Sequence, residues 1–338
     1  MNSTYLLSLV VAAAIAFDLM NGFHDGCNAV STVIYTKALK PHTAILISAA
    51  FNFIGPFLGI QVAKTIGGVI NFSQTDASLM ARLVTAAMIG ALLWDILTWF
   101  WGLPVSSSHA LVGGLLGSGV MALGVGGVKW FKLTQVVAAL IFSPLIGMVV
   151  GFLLMMASRR LLRMIKIDLE RSDSVYRKMQ VFSSSFVSFS HGSNDATKTM
   201  GIVALFLAAH YGYSEIRVPV WVIITFACAM AVGTYLSVLS YRLVRTLGER
   251  ITTLHPVHGF SAETGAAAVI FLGSRLGLPV STTHVVTSAV TGTGLATGLG
   301  SVGWRTFRDI ILAWLVTFPF CAGVAALAYY LLSMIPGK

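Results

Sequence analysis

The chain has 338 residues, of which 56% are hydrophobic and only 10% charged. Soluble domains carry about 25% charged residues, so the composition excludes a soluble fold and indicates an all-α polytopic membrane protein. The formal net charge of +10 does not mark a nucleic-acid binder. Its surplus sits in residues 159–178 and in short loops, where the positive-inside rule places it, and no basic stripe is interleaved with exposed aromatics.

Residues 5–17 lack a basic leader and run into Asp18, which reads as a retained span and not a cleaved signal. The first element is predicted over residues 5–35, interrupted near Asn21–Asn28 in the run NGFHDGCN. A second follows Pro41, over residues 43–63, and a polar loop covers 71–76. A third spans 83–100, and a Ser- and Gly-rich segment, GLPVSSSHALVGGLLGSG, covers 102–119. It reads as a re-entrant-like hairpin. A fifth element runs over 133–156, each sized by the roughly 20 residues that cross a hydrocarbon core. The second half repeats this plan: a broken span at 181–209, spans at 218–241 and 260–271, GLPVSTTHVVTSAVTGTG at 277–294, and a last span at 310–332. About 10–12 transmembrane segments result.

Ser106 aligns with Ser281, His109 with His284, Asp25 with Asp195, and Asn28 with Lys198. Two motif pairs in one order indicate an internal duplication: a first repeat over residues 1–157, a cytoplasmic connector over 158–180, and a second repeat over 181–338. With the connector inside, Lys37, Lys40, Arg242, Arg245, Arg250, Arg305 and Arg308 also fall inside. Lys64, Arg82, Lys129, Lys132, Arg217 and Arg275 fall outside. Five crossings per half would place both termini outside and invert one repeat against the other, with broken helices meeting at the midplane as in secondary transporters.

The two GLPVS segments carry the first chemical signal. Each proline ends a helix or sets a turn, and Ser106, Ser107 and Ser108 in one half, with Ser281, Thr282 and Thr283 in the other, put hydroxyls and free N–H groups at a helix start. Such ends favour tetrahedral oxyanions; ordinary N-caps with close packing through Gly113, Gly114 and Gly117 are the alternative. Asp25 and Asp195 carry the second signal. A buried carboxylate must be protonated, paired or cation-bound. With Asn28 three residues on, Asp25 suits a proton or a sodium ion, as does Asp195, although capping of a half-helix is an alternative for Asp25.

His24, His109, His191 and His284 flank these motifs, where bonding near a helix break is favoured over a metal or relay site. Glu263, aligned with Met88, is an unpaired intramembrane glutamate and a candidate for coupling. Asp18 and Asp95 are weaker candidates, and each could pair with an interfacial arginine. Cys27, Cys228 and Cys321 lie far apart in apolar surroundings and imply neither a disulfide framework nor a metal cluster. No GxSxG or HExxH occurs, so an intramembrane serine–histidine hydrolase is the poorer reading.

Four segments together, GFHDGCNA at 22–29, GLPVSSSH at 102–109, HGSNDATKTMG at 191–201 and GFSAETGAAA leading to GLPVSTTH at 259–284, resemble the inorganic phosphate transporter (Pit) family of cation–phosphate symporters, over nearly the whole chain. The resemblance implies a homodimer with phosphate held between the broken helices and the two hairpins. It implies ligand roles for Asn28, Ser106, Ser107, Ser281 and Thr282, cation or proton roles for Asp25 and Asp195, and a transport role for Glu263. To these the motif chemistry adds Ser108, Thr283 and Asn194 around the anion. Three positions depart from the common pattern: His24 stands where Asn is usual, Lys198 replaces Asn, and Asn52 stands where animal members carry a glutamate. Lys198 is shared with bacterial members that resemble proton- or metal-phosphate symporters. The chain thus reads as a bacterial-type low-affinity phosphate permease of the inner (plasma) membrane, working by alternating access. No cofactor is called for. Protons are the favoured coupling ion, with Lys198 as a fixed charge, and sodium at Asp25 and Asp195 or carriage of a metal–phosphate complex are the alternatives. A sulfate or other oxyanion permease is the nearest rival.

Overall fold

A computed structural model describes residues 3–72 and 75–335; Ser73 and Gln74 of the predicted polar loop lie outside the described residues. Among them are twelve α-helices and no strands, only two antiparallel bridges, Ile70 with Val128 and Thr252 with Val302. The helices are α1 (Ser3–Tyr35), α2 (Pro41–Ile54), α3 (Ile60–Gly67), α4 (Ala77–Trp101), α5 (Ser107–Leu123) and α6 (Trp130–Met164), then α7 (Leu169–Tyr211), α8 (Val220–Leu236), α9 (Tyr241–Glu249), α10 (Pro256–Arg275), α11 (Thr282–Leu295) and α12 (Trp304–Ser333). By length and composition, six helical segments are apolar enough to cross a membrane: α1, α4, α6, α12, and α2 and α8 with the turns that follow them. α7 is not among them, because its inward stripe is polar.

The halves repeat one element order, but the breaks lie elsewhere than predicted. α1 runs through Asn21–Asn28 and α7 through Gly192–Ser193 without interruption. The glycines there serve close helix approach instead. A Cβ on Gly22 would sit 2.5 Å from the Met230 carbonyl of α8, and one on Gly192 would collide with the Asn52 carbonyl of α2. Gly22 and Gly192 each precede their aspartate by three residues, so the first helix of each half packs on the second helix of the other.

Those second helices are the broken ones. α2 gives way at a 3₁₀ turn, Gly55–Leu58, before α3, and α8 at Ser237–Leu239 before α9. In the first case Pro56 lacks the N–H that would continue the ladder. The connector is also shorter than its charge suggests. Residues 159–164 extend α6 and 169–178 begin α7, leaving 165–168 outside a helix.

Each GLPVS segment links two helices. α4 and α10 are followed by Gly102 (φ 66°) and Gly277 (φ 71°), left-handed conformations that favour glycine. An extended stretch then feeds α5 or α11. α5 packs on α4 and α12, and α11 packs on α10 and α6, so the hairpins cross between halves. Close packing runs through the expected glycines: a Cβ on Gly113 would lie 2.6 Å from the Phe318 carbonyl, and one on Gly114 2.5 Å from that of Ala87. Overpacking such a seam costs about 1–3 kcal/mol, so Gly113→Val is expected to lower the melting temperature in detergent by at least about 3 °C. Gly126, with nothing within 4 Å of its Cβ position, is expected to accept alanine silently in the same measurement.

Candidate functional site

On α1, Asp18, Asn21, Asp25, Asn28 and Thr32 recur every three or four residues and so form one polar stripe. On α7, Gln180, Ser183, His191, Asp195 and Lys198 also share one face, with about two turns between Ser183 and His191. The helices run antiparallel: Thr36 Oγ1, just past the end of α1, donates to Gln180 Oε1 in the first third of α7 at 2.6 Å, and Thr199 Oγ1 in the last third of α7 donates to Asp18 Oδ1 at 2.7 Å. Asp25 and Asp195 lie between these ties, facing the N-termini of α5 and α11.

Ser107 and Thr283 donate to Asp25, at 2.7 Å to Oδ2 and 3.1 Å to Oδ1, and Thr282 donates to Asp195 Oδ2 at 2.9 Å. Ser107 Oγ also lies 3.5 Å from Asp195 Oδ2, so one hydroxyl sits between the two carboxylates. Asn28 Nδ2 donates to Thr283 Oγ1 at 2.8 Å. Lys198 Nζ meets three oxygens: Asp195 Oδ1 at 2.7 Å, the Val280 carbonyl at 2.7 Å and Ser108 Oγ. Ser108 in turn donates to that carbonyl at 3.1 Å. None of the side chains in this cluster is more than 3% exposed. The site is occluded from both sides.

Two histidines adjoin the carboxylates. His24 Nδ1 lies 2.8 Å from Asp25 Oδ1 and its Nε2 3.4 Å from Thr98 Oγ1. His191 Nε2 lies 3.5 Å from Asp195 Oδ2, while its Nδ1 lies 2.7 Å from Asn52 Oδ1. Asp25, His191 and Asp195 each present one ligand atom within 4.8 Å of the others, a set that fits a cation. With the histidines counted as neutral, two carboxylates and one ammonium leave the cluster at −1.

The structure thus brings Asp25, Asn28, Ser107, Ser108, Asp195, Lys198, Thr282 and Thr283 into one cluster. Ser106 and Ser281 stand just behind it as N-caps, accepting from the backbone N–H of His109 at 3.1 Å and of His284 at 3.2 Å. Their oxygens therefore hold the helix starts in place. Asn194 donates to Ser274 Oγ on α10 at 2.8 Å, away from the cluster's hydrogen bonds. The His109 and His284 rings lie tilted against each other with centroids 4.6 Å apart, and His284 stacks on Trp314 at 3.6 Å.

Glu263 is not the unpaired residue the sequence suggests, and it lies apart from the cluster. Its carboxylate accepts from Thr32 Oγ1 at 2.5 Å, Gln180 Nε2 at 3.1 Å and Ser183 Oγ. Thr32 is seven residues beyond Asp25, about 10 Å along α1. Among the described residues, neither Asp18 nor Asp95 takes the arginine partner open to it. Asp18 accepts from Thr199, and Asp95, fully buried, has no hydrogen-bond partner for either oxygen among the described residues. Sequence reasoning missed Thr32, Gln180, Ser183 and the Val280 carbonyl. The helical spacing of Gln180 and Ser183 ahead of His191 was the available signal for two of them.

The chain is similar to known proteins along nearly its whole length. Residues 21–325 match the phosphate transporter family. A relative in Rhizobium meliloti, described as a "probable low-affinity inorganic phosphate transporter", is 41% identical over 334 residues, covering 98% of this chain and 97% of the relative. One of the same description in Bacillus subtilis is 37% identical, covering 98% of each. A solved structure described as "the sodium-dependent phosphate transporter" superposes with a TM-score of 0.87 at 26% identity, covering 98% of this chain and all of that one. A family match over most of the chain, together with relatives of nearly equal length, establishes that this polytopic membrane protein belongs to the phosphate transporter family.

Proposed function

We propose that the chain carries inorganic phosphate across the plasma membrane in symport with a cation, by alternating access. The observation that carries this reading is the sign of the buried cluster. Two carboxylates and one ammonium, all at most 2% exposed, leave a net negative site beside two helix N-termini that favour an anion. Phosphate entering such a site is repelled unless positive charge enters with it, because charges interact strongly away from water. Coupling to a cation follows from that balance.

Phosphate suits the cluster better than sulfate does. Asp25 and Asp195 are hydrogen-bond acceptors; a protonated phosphate can donate to them, whereas sulfate at neutral pH has no proton to give. A site built around a missing donor discriminates by orders of magnitude. Once phosphate donates to the aspartates, the hydroxyls of Ser107, Thr282 and Thr283 that now donate to them, and that of Ser108 on the Val280 carbonyl, can turn to the remaining oxygens, and Asn28 adds an amide. Family membership sets the hydrolase reading aside, since its named relatives are transporters.

Lys198 supports a proton as the coupling ion. Its ammonium meets a carboxylate, a carbonyl and a hydroxyl, the hard-oxygen set that a sodium ion would otherwise take. One cation place is therefore filled by the protein, which leaves Asp25 with His24 as the exchangeable one. In this reading Glu263 ties α1, α7 and α10 together near the cytoplasmic face and must let go when the site opens inward. The antiparallel course of α1 and α7 supports two inverted repeats, and the distribution of lysine and arginine supports both termini outside. The homodimer rests on the resemblance to the Pit family.

Phosphate uptake into proteoliposomes under an imposed pH gradient, without sodium, tests the reading. Uptake competed by arsenate and untouched by sulfate is expected. Strict sodium dependence would overturn proton coupling, and equal competition by sulfate would overturn the argument from the carboxylates.

A further inference from the structure

The anion cluster is sealed, yet two clefts lined by cations open at the two hairpin turns. One, of about 250 Å³, is lined by Lys64, Lys132 and Arg275 together with Gln61, Thr65 and Gly277, and no carboxylate lines it. It shares Lys64 and Lys132 with a neighbouring cleft that adds Lys129 and one acid, Glu215. The other, of about 240 Å³, is lined by Arg242, Arg245, Arg250, Thr246, Trp101 and Gly102.

The two clefts are counterparts. Gly102 and Gly277 stand at the same step of the two GLPVS segments, with φ of 66° and 71°. Each cleft takes cations from the short helix after a 3₁₀ break, Lys64 from α3 and Arg242 with Arg245 from α9. They open on opposite faces. α3 ends against the C-terminal half of α7, where a Cβ on Gly67 would lie 2.6 Å from the Gly201 carbonyl, whereas Gly248 of α9 abuts the Tyr35 ring at the end of α1. Each also adjoins the buried cluster through its own turn. Gly277 is three residues from Val280, whose carbonyl receives Lys198 at 2.7 Å, a reach of at most about 10 Å. Gly102 is four residues from the Ser106 cap, and its carbonyl accepts from Thr246 of α9 at 3.0 Å.

We propose that these clefts are a pair of sided anion antechambers, each gathering free phosphate-class oxyanions at one membrane face and passing them to the hairpin beneath. The proposal rests on the phosphate-transport reading above. Exposed cations in a cleft raise the local anion concentration, and charges at the rim act on encounter more than on the steps that follow. Their signature is therefore a change in KM with little change in maximal rate, which salt suppresses because the Debye length falls to about 3 Å at 1 M. The cleft at Gly277 is the more strongly basic. At Gly102, Arg245 pairs with Glu249 at 2.7 Å, and Arg242 donates to the Phe100 carbonyl at 3.0 Å.

The test uses the full chain, uniformly oriented in vesicles of neutral phosphatidylcholine, with initial phosphate flux measured in each direction. Lys64→Gln/Lys132→Gln/Arg275→Gln is expected to raise KM at least about fivefold from its own face at low ionic strength. Maximal rate from that face and KM from the opposite face should stay unchanged, maximal rate from the opposite face should fall in proportion because exit uses the same cleft, and the difference should vanish in about 1 M salt. Arg242→Gln/Arg250→Gln is expected to do the same, more weakly, from the other face. The lysine-to-arginine double variant, Lys64→Arg/Lys132→Arg, should retain the wild-type KM, and melting temperatures check that every variant is folded. An unchanged KM in folded variants would overturn the proposal, as would a KM that rises equally from both faces. A KM effect appearing only when phosphatidylglycerol is added would overturn it too, and would assign the clefts to lipid headgroups. Wild-type vesicles that move no phosphate would sink the transport reading itself, and the antechambers with it.

Discussion

Asp195→Asn is expected to cut phosphate uptake by at least about a hundredfold and to destabilise the protein as well. The substitution removes the charge that faces the Lys198 ammonium at 2.7 Å, on a lysine only 2% exposed. Breaking a buried pair by taking away one partner costs about 3–5 kcal/mol, and each 1.4 kcal/mol is about a factor of ten. Thr282 would at the same time face an amide where it now donates to a carboxylate. The double variant Asp195→Asn/Lys198→Met separates the two effects. With no orphaned ammonium, its melting temperature in detergent should return towards wild type, while uptake should stay abolished for want of the carboxylate. Asp25→Asn leaves the Lys198 pair intact and should lose uptake at a smaller cost in melting temperature. Uptake by Asp195→Asn within threefold of wild type would remove the aspartate from the transport site.

Lys198→Asn is expected to change which ion drives uptake. It takes the only ammonium out of the cluster, so the formal charge there falls from −1 to −2, and it opens the place bounded by Asp195 Oδ1, Ser108 Oγ and the Val280 carbonyl. The introduced asparagine would also match Asn28, the counterpart position across the duplication. Hard oxygens around an added negative charge suit sodium. Uptake driven by a pH gradient alone should fall at least about tenfold, and sodium should restore it, because the variant lacks more than one decade's worth of buried charge compensation. Proteoliposomes loaded without sodium, then given it, read both outcomes in one preparation. An unchanged ion dependence would mean that Lys198 is a structural partner of Asp195 and no substitute for an ion.

Much of this site could be read from the residues in order. Asp25 and Asp195 stand out because carboxylates in apolar spans are costly. Their alignment, together with that of the two GLPVS segments, points to an internal duplication, and the two halves of the fold share one element order. The three-residue spacing of Asp195 and Lys198 places them on one helical face, and the structure pairs them. Ser107 and Thr282 were legible as hydroxyls at a helix start. What could not be told apart in sequence was the hydroxyl that caps from the hydroxyl that reaches inward: Ser106 and Ser281 cap, whereas Ser107, Ser108, Thr282 and Thr283 face the aspartates and the lysine. That distinction depends on where each helix begins, which a shift of one residue would reverse.

Hydrophobicity and local pattern are enough to specify the membrane class, the order of the elements and the residue types at the centre of the fold. They do not specify that α1 and α7 stay helical through their polar centres while α2 and α8 give way; packing makes that choice. Glycine beside Asp and Asn looks like a break locally. In the fold, Gly22 and Gly192 admit a neighbouring backbone, and the hairpins' hydroxyls meet the polar groups from across the bundle. Packing likewise gives Glu263 its three donors and leaves Asp95 without one among the described residues. The physical reason is common to all of these. A buried polar group is satisfied or orphaned by residues far away in sequence, and their distance is set by packing, not by pattern.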